Sequence, residues 1–154
     1  MSGHEIVGSP SQPVAAARPA PSAGLSGYGK LNLISILLLP GAAVLAALIV
    51  FGARSDTLLA VAAINAVPAL LGGLISALLL RRANRAGAGQ FIALWPSLLP
   101  AAVGAVWYLW RAVLPEELAP GREFLAVPQY MLIAVVVLGL VAAAGCGIAR
   151  ARQG

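Results

Sequence analysis

The sequence predicts an all-α integral membrane bundle of four transmembrane helices, paired as two antiparallel hairpins, kinked at prolines and preceded by a disordered N-terminal tail. Three observations carry this. The 154 residues are 60% hydrophobic and only 10% charged, with mean hydropathy +0.92, a balance that suits a bilayer better than water. Apolar runs recur at about 31–52, 57–80, 91–110 and 124–148, each near the roughly 20 residues that cross a hydrocarbon core about 30 Å thick. Basic residues gather at the ends of those runs.

That last point decides how the charge is read. A formal net charge of +5 and a pI near 10.4 would suggest nucleic acid as the partner of a soluble chain. Here the flanking positions make anionic lipid headgroups the expected counter-charge, and no nucleic acid is expected. Cys146 is the single cysteine and His4 the single histidine, which leaves no internal disulfide and no structural zinc.

Residues 1–29 are rich in Pro, Ala, Ser and Gly and cannot bury enough apolar surface to offset their ordering entropy. They read as a disordered cytoplasmic tail, too long before the first apolar run for the start of a signal peptide. Residues 30–154 form the transmembrane domain. Its first span, 31–52, follows Lys30 and contains Pro40-Gly41, where the lost amide predicts a kink. The link through Arg54, Ser55 and Asp56 is short enough to force an antiparallel hairpin, and Ser55 or Asp56 suits the cap of the next helix.

The second span, 57–80, holds Asn65 three positions before Pro68, where an amide side chain can satisfy the broken helical ladder or a neighbouring helix. Ala69, Gly73 and Ala77 recur at spacing four, a small-residue face suited to close helix approach, with Gly72 and Ser76 offset from it. Arg81-Arg82-Ala83-Asn84-Arg85 then reads as the tip of a cytoplasmic loop touching lipid headgroups. The third span, 91–110, contains Pro96 and Pro100 and ends in Trp107-Tyr108-Leu109-Trp110, read as an interfacial aromatic belt. In the third loop, Pro115-Glu116-Glu117 resembles the first turn of a short interfacial helix and Pro120-Gly121 a turn. The fourth span, 124–148, has Pro128 near its start and a second small-residue row, Gly139, Ala143 and Gly147, with Cys146 beside it.

Counting positive charge orients the chain. Arg18, Lys30, Arg81, Arg82, Arg85, Arg150 and Arg152 fall on the tails and second loop, against Arg54, Arg111 and Arg122 on the first and third loops. Seven against three places both termini in the cytoplasm of a cell membrane, inner or plasma. An echo at a spacing of sixty, Leu38-Leu39-Pro40 with Leu98-Leu99-Pro100 and Ala66-Val67-Pro68 with Ala126-Val127-Pro128, reads as compositional, because Pro68 is mid-span and Pro128 is not.

No Asp, Glu, Lys, Arg or His lies inside a span, which argues against proton- or ion-coupled transport by this chain alone and against haem ligation. No phosphate loop, zinc-protease motif or nucleophile elbow is present. No catalytic, cofactor-binding or metal-ligating residue is therefore assigned. The expectation is a non-catalytic accessory or scaffolding subunit, packing through its small-residue faces against a larger membrane complex or against itself. The alternative is a small homo-oligomeric pore or facilitator, holin-like or transporter-like, with Asn65, Ser76 and Ser97 along its path.

Overall fold

A computed structural model describes residues 26–86, 89–113 and 122–151, excluding the side chains of 84–86, 123, 149 and 150. Every element among them is helical: α1 (Gly27–Phe51), α2 (Ser55–Ala86), α3 (Gln90–Ala93), α4 (Trp95–Val113) and α5 (Arg122–Ala151). Three helical segments are long and apolar enough to cross a membrane, Gly27–Phe51, Ser55–Ala83 and Phe124–Ile148. The chain therefore has the helices of a multi-pass membrane protein. Most of the expected tail, the third loop at 114–121, and residues 152–154 lie outside the described residues.

The first helix begins earlier than its apolar run. The Gly29 amide donates to the Ser26 hydroxyl at 3.2 Å, so Ser26 caps α1 and residues 27–29, counted with the tail, are helical. At the far end Gly52 adopts φ +74 and its amide closes on the Leu48 carbonyl at 3.0 Å. With ψ at -173 this is an extended, positive-φ conformation open to glycine, and it ends the helix. The α2 helix starts at Ser55 and continues through Arg81 and Arg82 to Ala86. The 81–85 segment expected as a loop is thus the last turns of a helix, as its strong helix formers Arg and Ala allow.

The third apolar run is not one helix. α3 is a single turn, Leu94 interrupts it with its amide closing on the Phe91 carbonyl at 3.1 Å, and α4 begins at Trp95. Pro96 has no amide to offer the Ile92 carbonyl, and its ring fits only the first turn of a new helix. Two prolines, three tryptophans, Tyr108 and Arg111 also keep α4 out of the three most apolar segments.

In the bundle α1 packs against α2 and α4, and α5 packs against α2 and α4, while α2 also touches α4. Small side chains permit this: Ala43 and Ala47 of α1 are fully buried, as are Ala93 and Ala142 on α3 and α5. Tyr28 packs against a cluster of Leu79, Leu80, Ala93, Leu94 and Ala142, which brings together the start of α1, the end of α2, the α3–α4 break and the second half of α5. At the opposite end the Phe51 and Phe124 rings lie 5.3 Å apart and Phe124 stacks on Tyr108 at 5.4 Å. Exposed Lys30, Arg81 and Arg82 therefore share one end of the bundle.

Candidate functional site

The polar side chains inside the bundle are the groups with chemistry to offer, and they fall into two layers. Asn65 and Ser76 are eleven positions apart on α2, about 16 Å along its axis. Around Ser76 lies the first layer. The Ser97 amide donates to the Ser76 hydroxyl at 3.2 Å and the Ser97 hydroxyl to the Leu94 carbonyl at 3.2 Å. Both hold the opening of α4 where Leu94 breaks the third run. Beside them a Cβ on Gly72 would stand 2.6 Å from the Pro96 carbonyl oxygen, a carbonyl that Pro100 deprives of its helical donor. Only a residue without a side chain admits that contact.

Asn32 and Ser35 complete this layer from α1. The Asn32 Nδ2 donates to the Gly73 carbonyl at 3.0 Å, and the buried Oδ1 has no hydrogen-bond partner. The Ser35 hydroxyl returns to the Leu31 carbonyl at 2.9 Å, four residues back along its own helix. Ile36, one turn from Asn32, lies directly over Gly73.

The second layer centres on Asn65, which is fully buried. Its Nδ2 donates to the Val61 carbonyl at 2.9 Å, and the Tyr108 hydroxyl donates to its Oδ1 at 2.9 Å. Through Tyr108 this contact joins the Phe124 and Phe51 rings, so α1, α2, α4 and α5 meet at one level.

Each expected site residue now has a place. Ala69 is buried, Gly73 faces α1 and Ala77 is half-buried, so the spacing-four row on α2 packs inside the chain. The offset pair, Gly72 and Ser76, meets α4. Gly139 is buried against Ile75 of α2, whereas Ala143 and Gly147 on the same row are exposed. Ser76 and Ser97 touch one another, but Asn65 belongs to the other layer, and all three are packed over by neighbouring helices. Arg81 and Arg82 are exposed; the Arg85 side chain lies outside those described.

Tyr108, read as part of an interfacial belt, is instead 2% exposed, while Trp107 and Trp110 do face outward. The signal was present: Tyr108 falls three, four and seven positions after Ala105, Gly104 and Ala101, the inward face of α4. Asn32 was missed because it stands near the start of its run, where a polar residue passes for a boundary. Trp107 and Trp110, with Ala102, Val103 and Val106, line an open apolar groove of about 410 Å³ on the outer face of α4. Among the described residues no three of His, Cys, Asp and Glu come together as a metal site. Comparisons with protein-family models, with curated proteins and with solved structures find no match to this chain.

Proposed function

We propose that the chain is a non-catalytic membrane scaffold or accessory subunit that crosses the bilayer four times, with both termini in the cytoplasm. In this reading α3 and α4 together form a third, interrupted span, and Pro40, Pro68, Pro100 and Pro128 bend the helices that carry them. The observation that carries the proposal is where the intramembrane polar groups are used. Tyr108 with Asn65, Ser97 with Ser76 and Asn32 with Gly73 all join one helix to another. Side chains spent on fastening helices leave a rigid body whose remaining surface is apolar and turned to lipid or to another protein. The basic end, with Lys30, Arg81 and Arg82 exposed, suits anionic headgroups of the cytoplasmic leaflet.

The pore alternative requires Asn65, Ser76 and Ser97 to line a common wet path. Their separation into two packed layers favours the scaffold. The test has two arms. Tagged full-length protein purified in mild detergent is expected to bring down a larger membrane complex or further copies of itself by mass spectrometry. The same protein in liposomes is expected to pass neither ions nor small solutes. Conductance or solute flux abolished by Asn65→Leu would replace the scaffold with the pore.

A further inference from the structure

Of the three most apolar helical segments, that of α5 is the least covered: 17% of its most apolar window is buried, against 33% in α1 and α2. Its outward face is broad, and one row along it is formed by Gln129, Ile133, Val136, Leu140, Ala143 and Gly147, all exposed. The steps between them run four, three, four, three, four, the spacing of a left-handed coiled-coil seam. The seam tapers from large side chains to small ones, and nothing stands within 4 Å of a Cβ built on Gly147. One member breaks the apolar pattern. Gln129 lies five positions, about 7.5 Å, past Phe124 within the apolar segment Phe124–Ile148, and its amide faces outward. That position falls near the edge of a hydrocarbon core about 30 Å thick, where a carboxamide facing lipid without a hydrogen-bond partner is unfavourable.

We propose that this face of α5 packs against the α5 of a second copy of the chain, about a two-fold axis along the membrane normal. The inference rests on the scaffold reading and specifies its self-assembly. Copies inserted in the same orientation set their α5 helices parallel, so each seam residue meets its own counterpart at the same depth. Glutamine both donates and accepts, so Gln129 satisfies itself across such an axis. A different subunit would need a matching polar group at that depth, whereas a second copy supplies it by symmetry. Ala143 and Gly147 then let the two backbones approach closely in the second half of the seam.

The test uses the full-length chain in liposomes with Cys146→Ala as background and one new cysteine at a time. Val136→Cys and Leu140→Cys on the seam are compared with Leu37→Cys on α1 and Val103→Cys on α4, which are exposed on other faces. On oxidation the seam variants are expected to form disulfide dimers and the other two to remain monomeric. In energy-transfer dilution experiments Gln129→Leu is expected to weaken dimerisation about fivefold, with Gln129→Asn closer to the parent chain. Dimers through Leu37→Cys or Val103→Cys alone would overturn this seam and keep self-assembly. No dimer at any position, with a larger complex in the pull-down, would overturn the homodimer and keep the accessory role. No dimer and no partner would overturn both.

Discussion

Gly72 and Gly73 are neighbours in the chain yet serve different helices. A methyl on Gly72 would meet backbone, the Pro96 carbonyl, which can yield only if α4 moves. A methyl on Gly73 would meet Cγ1 and Cδ1 of Ile36, a side chain rather than backbone, although its β-branch leaves little χ1 freedom in a helix. Gly72→Ala is therefore expected to lower stability by about 1–3 kcal/mol, and Gly73→Ala by less, in unfolding titrations of the protein in mixed micelles. A negligible loss for Gly72→Ala would show that α4 does not depend on the close approach at Gly72. The Asn65 and Tyr108 pair makes a second residue-scale case. Tyr108→Phe leaves a buried amide oxygen without its donor and is expected to lower stability by about 1 kcal/mol in the same titration. Combining it with Asn65→Leu removes both partners, so the double variant should fall short of the sum of the two single losses.

At the scale of elements, the informative feature is the interruption between α3 and α4. Pro96 opens the new helix, Ser76 meets the Ser97 amide, and Gly72 leaves room for the Pro96 carbonyl. The break is thus received by α2, two turns of which had looked in sequence like a generic small-residue surface. Contact between α1 and α4 rests on a different match, the Leu39 side chain lying over Gly104. Leu39 is 1% exposed, and Leu39→Ala would leave a cavity between those helices. The expected loss is about 2–4 kcal/mol by the same unfolding measurement. Leu45→Ala, on the exposed face of α1, should change stability far less. The four apolar runs and the small spacing-four rows were legible by counting. Which row met which helix was not, because every row of Ala and Gly offers the same close approach until a neighbour arrives.

At the scale of the whole molecule, the helix order matters. α1 lies beside α4 and α2 beside α5. A two-fold repeat of the α1–α2 and α4–α5 hairpins about the membrane normal would place each of those equivalent pairs across a diagonal. The echo at a spacing of sixty therefore has no counterpart in the packing of the hairpins. The bundle also collects exposed Lys30, Arg81 and Arg82 at one end. Under the positive-inside rule, neutralising Arg81, Arg82 and Arg85 together changes the balance of basic residues from seven against three to four against three. A C-terminal reporter active only in the cytoplasm should read full activity in the parent chain and a mixed population in the triple Arg→Asn variant. An unchanged reporter in that variant would show that the tails alone set orientation.

The sequence by itself determined the solvent of this protein and its all-helical class, because 60% hydrophobic residues in long runs flanked by basic positions have few other ways to fold. Its apolar runs mark three long helical segments, but not the Ser26 cap that starts α1 at Gly27 or the continuation of α2 to Ala86. Tertiary structure alone decided the roles of the polar residues. Asn65 had the chemistry to line a path or bind a neighbouring helix, and only the arrival of Tyr108 from α4, 43 positions away, made it a fastening. Burial is a property of the assembled bundle, and in a chain this rich in Ala, Leu and Gly the local pattern is nearly the same on every face.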